Sequence, residues 1–384
     1  RDASARAYDY LRGQLTMDTD RTFTAIDRTV RGGDGQATQH FMSNSPWSAP
    51  AVFAQIQAEI AATPGLAQGG VVILDESADE KSGPDSVGAA RQYNGRLGKV
   101  DLCRVDTCLS YAQVSAGMWA MVDGELFLPE AWFAPEKTDQ RAALGIPPER
   151  TFETKIQLGL KMIRRAQAQG LPFELVACDT LYGRDRPFRA TLAALELRYA
   201  AQVPATTQVY LHPPQVGVPA KRHRQGRQPS RLQVLSRERP HPVQHLAHRP
   251  WMRWRHGQVR PSERGLLEAD FAVRRVWTLT PENTPCAEWV VIRRQADGQH
   301  TYTLLNAPAT TPAQQLIEWS CQRYFTERTF EEAKTEIGWD EFQGQKYRAW
   351  EHHLALTALA LWFVVQTKRQ WASTYARDPQ LAQQ

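Results

Sequence analysis

Residues 71–77 read Val-Val-Ile-Leu-Asp-Glu-Ser, directly after Gly69-Gly70. A short continuous apolar run of this kind is the pattern of a buried central strand. Because the run stops at Asp75, the reading expects that strand to end there, with its last residue emerging at the sheet edge. A second run, Phe173 to Cys178, stops in the same way at Asp179. Between the two lie strand-like runs at Leu102 to Ala112 and Met118 to Leu128, the latter with Asp123-Gly124 as a hairpin turn. A helix follows from about Pro148 to Gln169, with Glu149 in its first turn and Gly170 as its stop. Beyond Asp179 come a helix near Arg189 to Leu197 and a short strand, Tyr199 to Val203. The order is thus strand, strand, strand, helix, strand, helix, strand, an α/β arrangement with an acidic residue closing its first and fourth strands.

Working outward, the N-terminal part is helical and polar, and AVFAQIQAEIAAT (51–63) places apolar residues at helical spacing until Pro64 and Gly65 stop it. After the last core strand, VWTLT (276–280), WVVIRR (289–294) and YTLLN (302–306) read as further strands. Thr311-Pro312 then opens a long helix, expected to run to about Gly338, and another covers about Trp350 to Lys368.

The 384 residues allow two or three domains, and an apolar share of 42% with 23% charged residues is ordinary for a globular chain. The longest apolar run, Leu354 to Val365, is interrupted by Thr357 and is too short to span a bilayer. No segment resembles a signal peptide, and the opening on Arg1 leaves room for N-terminal sequence ahead of it. Five cysteines, an odd number without a CxxC pair, support neither a disulfide framework nor a zinc ribbon, so a reducing cytoplasm is expected.

Forty-six Lys and Arg against forty-one Asp and Glu leave a formal charge of only +5. Its distribution is uneven. From Lys221 to Arg264 twelve cations, among them Arg222, Arg224, Arg227, Arg231, Arg253 and Arg255, face only Glu238 and Glu263, a local excess of +10. The remainder of the chain carries −5. A slightly acidic body with one strongly basic segment points to a polyanion, most commonly nucleic acid. Trp251 and Trp254, interleaved with Arg253 and Arg255, suit stacking on an unpaired base, or pack beneath a solvated basic loop. His223, His241, His245, His248 and His256, and the pair His352-His353, have no metal-ligand spacing.

Two strand-end aspartates can be simple caps. With a glutamate on a later helix they also suit a carboxylate cluster for Mg²⁺, which prefers hard oxygen ligands. On the helix expected after Pro312, with Arg323 at zero and about 100° per residue, Glu327 falls near 40° and Lys334 near 20°. Glu331 lies near 80°, a weaker candidate, and Glu332 near 180°. A carboxylate flanked by two cations suits metal plus phosphate, whereas the same stripe is equally a solvated, salt-bridged helix.

VVILDES, SVGAARQYNGRLGK, ACDTLYG and RYFTERTFEEAKTEIG, in this order and spacing, resemble bacterial insertion-sequence transposases of the DDE class. The closest likeness is to DDE superfamily endonucleases, related to transposases with a Tyr-Arg-Glu-Lys signature. It runs from about His40 to His353. The resemblance implies an RNase H-like catalytic domain, a mixed sheet flanked by helices, interrupted by a β-rich insertion. The expected organisation is an N-terminal helical region for DNA-end recognition (1–67), a first catalytic part (68–205), a basic insertion (206–304), final catalytic helices (305–370) and a tail (371–384). Carried over residue by residue, the catalytic and metal-binding carboxylates are Asp75, Asp179 and Glu327, and the signature arginine and lysine are Arg323 and Lys334. The signature tyrosine falls on Ser320, a departure from the pattern. Lys81, Arg91, Gln92, Tyr93 and Lys99 lie in matching stretches without assigned roles.

The implied activity is Mg²⁺-dependent cut-and-paste transposition with two ions, Mn²⁺ being a substitute. Its partners are double-stranded DNA, as terminal inverted repeats and target, and a second copy of the chain in a homodimer. The setting is the bacterial cytoplasm, at the nucleoid, with no membrane. Competing readings are a transposase-derived DNA binder that no longer cuts and an RNase H-like nuclease.

Overall fold

The computed structural model describes residues 3–220, 228–262 and 265–375. Two compact units share the chain: Arg1–Phe173 with Phe325–Gln384, and Glu174–Tyr324.

The first unit opens with helices α1 (Ser4–Thr16), α2 (Phe23–Arg31), α3 (Gln36–Asn44) and α4 (Ala49–Ala62). Thr22 and Ser48 cap α2 and α4 by accepting the N–H of Ala25 and Ala51. The sheet follows as β1 (Val71–Glu80), β2 (Ala90–Asn94), β3 (Lys99–Gln113) and β4 (Met118–Phe127). β3 is the central strand: β1 pairs along one edge, β2 and β4 share the other, and every pairing is antiparallel. A short helix α5 (Thr138–Ala143) leads to α6 (Lys155–Ala168), which begins after Pro148 because Thr154 and Gln157 form a reciprocal capping box there.

Two expectations about these strands fail. β1 does not end at Asp75 but continues to Glu80, since β3 pairs with it through Glu80↔Cys103. Its polar half alternates faces and finds partners on both, so the strand need not stop where the apolar run does. Nor is Asp123-Gly124 a turn. Both lie inside β4, beside a register shift opposite Leu109 and Ser110. The Asp123 carboxylate is buried against Arg165 (2.8 Å), and a Cβ at Gly124 would stand 2.8 Å from Leu354.

Pairing register sorts side chains by face. Leu74, Glu76, Leu109, Asp123 and Glu125 turn to α6: Gly159 admits Leu74, Lys155 pairs with Glu76 at 2.7 Å, and Arg165 bridges Asp123 and Glu125. Ile73, Asp75, Ser77 and Asp79, with Ser110, Cys108, Asp106 and Arg104, form the other face.

The second unit contains β5 (Leu175–Cys178), α7 (Thr180–Gly183), α8 (Arg186–Ala194) and β6 (Arg198–Val203), with β5 and β6 parallel. Short strands β7 (Gln208–Val209), β8 (Val216–Gly217), β9 (Gln233–Val234) and β10 (His241–Pro242) follow. The long β11 (Trp254–Ser262), β12 (Gly265–Leu279), β13 (Pro285–Arg294) and β14 (His300–Leu305) form an antiparallel ladder that joins β6 through β14. Helix α9 (Ala313–Ser320) closes the unit.

The single helix expected from Pro312 to Gly338 is two helices. After α9 a turn at 321–323 intervenes before α10 (Tyr324–Thr335), and Gly338, at φ +72°, follows. Arg323 stands in that turn, so its projection onto a common helical stripe does not hold. The final helix α11 (Tyr347–Tyr375) exceeds the range expected at both ends. In the first unit it is gripped by the N-terminal helices: Tyr10 donates to His353 Nδ1 (2.9 Å), Gln14 to Thr357 (3.1 Å), and His352 meets the carbonyls of Met42 and Trp47. The two histidines are therefore packing residues. Among the described residues no helix is long and apolar enough to cross a membrane. Antiparallel strands followed by a parallel strand–helix–strand unit, with helices alongside, make the chain a mixed α/β protein of RNase H-like build.

Candidate active site

Asp75 lies in the middle of β1, opposite Cys108 of β3, on the face away from α6. Its neighbour Glu76 points to Lys155 on the opposite face, so the adjacent carboxylates of the DES string belong to different environments. Helix α10 packs on the Asp75 face. Thr326 Oγ1 and Ser110 Oγ, both buried, are 3.0 Å apart, and Ser110 is the register partner of Ile73. Eight residues on, Lys334 Nζ donates to the carbonyl of Ala78 in β1 (3.4 Å). α10 thus runs along β1 in the strand's own direction.

Its rotation follows from the same contacts. With Thr326 at zero, Lys334 falls near 80° and Glu327 near 100°, on the flank that faces β1. Phe325 and Glu332 fall near −100° and −120°. These meet Trp119 of β4, by ring contact at 5.5 Å and by an indole N–H bond to Glu332 Oε2 at 3.1 Å. On these angles Glu327 falls on the β1 flank of α10, one residue on from the Thr326 contact at the level of Ile73. Glu331 is exposed and paired with Arg328 at 2.7 Å.

The electrostatics agree. Burial pushes the Cys108 thiol well above its ordinary range, the Asp106 and Asp75 carboxylates push it further, and Lys334 pulls the other way. Burial also lowers the Lys334 ammonium from its usual value, opposed chiefly by Asp340. Farther along the face, Arg104 is fully buried against the Trp350 ring (3.3 Å) and bonds Asp79 at 2.7 Å, while the Trp350 indole donates to Asp106 (2.6 Å). Burial raises Asp106 to about 7.

In the second unit Asp179 follows β5 and caps α7, its Oδ1 accepting the N–H of Leu181 at 2.9 Å. Gly183 of the same DTLYG string lies so close to β6 that a Cβ would stand 1.9 Å from the Gln202 carbonyl, which explains that glycine. Ser320, at the position of the signature tyrosine, returns its hydroxyl to Ile317 O at 2.6 Å.

Several residues left without roles prove architectural. Lys81 pairs with Asp79 and donates to Phe342 O (3.3 Å), Gln92 donates to Cys103 O (2.8 Å), and Lys99 pairs with Asp101 (3.2 Å). Arg91 and Tyr93 are both exposed.

Arg231, Arg253 and Arg255 are exposed. Arg222, Arg224 and Arg227 lie outside the described residues. Trp254 carries Arg294 over its ring at 4.4 Å and Trp251 carries Arg274 at 5.0 Å, so each indole is already faced by a cation. His256 is held between Asp270 (3.0 Å) and Glu268 (3.2 Å), and hydrogen bonds to both push it up.

Residues 1–262 match the model of the DDE superfamily endonucleases. The chain belongs to this family. The matched stretch includes Asp75 and Asp179 and stops short of Glu327. A relative from Microchaete diplosiphon, described as a probable transposase for insertion sequence element IS701, is 24% identical over 360 residues, covering 90% of this chain and 78% of its own.

Enzymes of this family are generally dependent on divalent metal. Asp75 and Glu327 offer the hard oxygen donors such an ion takes. Among the described residues no three His, Cys, Asp or Glu side chains gather into a cage that would hold a metal.

Proposed function

We propose that this endonuclease is the transposase of a bacterial insertion sequence, cleaving DNA strands at the element's ends and joining them to target DNA. The observation that carries the reading is the flank of α10, which turns Glu327 and Lys334 toward the strand that bears Asp75. Family membership and the transposase relative support it from the sequence side.

In this reading Asp75, Asp179 and Glu327 are the catalytic carboxylates. Two Mg²⁺ ions held by them and by DNA phosphates would activate the attacking oxygen and offset charge on the leaving one. Lys334, tethered at Ala78 and partly desolvated, presents its ammonium to a phosphate oxygen, and Arg323 grips another. With acids and cations alone, the side chains position and stabilise rather than attack. Arg222, Arg224, Arg227, Arg231, Arg253 and Arg255 track the DNA backbone, which makes affinity salt-dependent. The active form is a homodimer that holds two ends, working on DNA in the bacterial cytoplasm.

The test is purified protein with Mg²⁺ and a plasmid carrying the DNA that flanks its gene. Nicking and joining are expected, and Glu327→Gln should abolish both while DNA binding persists. An unchanged rate in that variant would move the role to Glu331. Binding without any cleavage by the unaltered protein would favour the inactive binder.

A further inference from the structure

The first unit also holds a cleft whose lining includes none of Asp75, Asp179 and Glu327. Helix α3 and the loop 342–346 wall an open cleft of about 850 Å³, floored by Phe23 and Phe342 in edge contact at 5.5 Å. Gln36, Gln39 and His40 line it from α3, and Gln343, Gln345 and Lys346 from the loop. All six are exposed, and among the described residues their side chains make no hydrogen bond or ion pair within the protein.

Both walls are fixed. The turn before α3 leaves no space for other residues: Gly35 has φ +89°, and a Cβ there would stand 2.7 Å from the Thr24 backbone. The buried Asp27 carboxylate accepts the Gly35 N–H at 3.0 Å and tightens the turn. The loop opposite is pinned at two carbonyls, Phe342 O by Lys81 (3.3 Å) and Gln345 O by the N–H of Val87 (3.0 Å). Val87 belongs to the SVGAARQY string, which thereby gains a purpose. Uncommitted amides on rigid elements are positioned for recognition rather than for stability.

We propose that this cleft reads base edges of bound DNA, an inference that rests on the DNA reading above. Glutamine amides donate and accept at once, matching the paired donor and acceptor of adenine in the major groove. Lys346 supplies a phosphate contact beside them. On α3, residues 36, 39 and 40 share one stripe, as side chains reaching successive base pairs must.

The experiment is selection from duplexes with a randomised centre, in EDTA so that binding alone is read, using the full chain. The unaltered protein should enrich a defined sequence. Gln39→Ala and Gln343→Ala should each flatten preference at one or two positions, cutting discrimination roughly ten- to hundredfold with non-specific affinity kept. Lys346→Ala should weaken binding to every sequence and lower the salt slope by about one. Matched melting temperatures exclude misfolding as the cause. Enrichment of the same sequence with equal strength by both glutamine variants would overturn the inference, as would DNA binding by the unaltered protein with no sequence enriched. Failure to bind any DNA would instead sink the transposase reading itself.

Discussion

The aim of Glu327 depends on a hydroxyl pair, and that dependence can be measured. Thr326 and Ser110 are both fully buried, with hydroxyl oxygens 3.0 Å apart. Thr326→Val keeps the side chain's shape but leaves the Ser110 hydroxyl dry and unpaired, at a cost of about 1–3 kcal/mol. Ser110→Ala strands the Thr326 hydroxyl in the same way, at a similar cost. Replacing both leaves two apolar groups in contact, which is close to neutral. The double variant should therefore be more stable than the sum of the single losses implies, by at least about 1 kcal/mol, whereas uncoupled sites add within roughly 0.3–0.5 kcal/mol. Urea unfolding followed by tryptophan fluorescence gives the cycle, with Trp119, Trp339 and Trp350 reporting on this unit. Strand nicking by the same proteins tests the consequence: if the pair sets the rotation of α10, Thr326→Val slows cleavage and the double variant recovers part of it. Additive losses would refute the hydroxyl contact and with it the derived aim of Glu327.

Three further outcomes follow from the first unit. Arg165→Gln would leave Asp123 buried without its main partner, costing about 3–5 kcal/mol by thermal or urea unfolding. Asp123 is already raised to about 6 by burial, so the variant's deficit should shrink as pH falls toward 4, where the neutral acid is tolerated; a pH-independent deficit would contradict this. His353 is pushed down to about 3 by burial and stays neutral in the fold, its Nε2–H donating to Trp339 O at 2.9 Å. The unfolded chain then binds a proton that the folded one refuses, so stability should be full above about pH 6.5 and fall as pH drops toward 3, with a shallower fall in His353→Gln. Gly159→Ala would place a Cβ 2.4 Å from Leu74 in a fully buried contact; a loss of about 1–3 kcal/mol is expected, relieved by Leu74→Ala.

Much of this was legible along the chain. The apolar runs at 71–74 and 173–178, the helix ending at Gly170 and the strands at 199–203 and 289–294 announced their elements, because local periodicity and stop signals reflect burial directly. The extent of β1 was not legible: DESADE is polar, and it stays in the sheet only because β3, Lys155, Lys81 and Arg104 supply backbone and charge partners from elsewhere. The buried Asp123, with Arg165 forty-two residues away, reads as a turn for the same reason.

By itself the sequence determined which residues are candidates for the chemistry proposed above: two aspartates after apolar runs, a glutamate in RYFTE, and a basic stretch between them. Residue type and spacing are local properties, and the family likeness rests on them. Only the tertiary structure decided how these residues are aimed. It divided α9 from α10 and so removed Arg323 from the helix, it sent Glu76 and Asp75 to opposite faces, and through one hydroxyl pair and one lysine it turned Glu327 toward β1. Those outcomes depend on contacts between segments far apart in the chain, which no window of sequence contains.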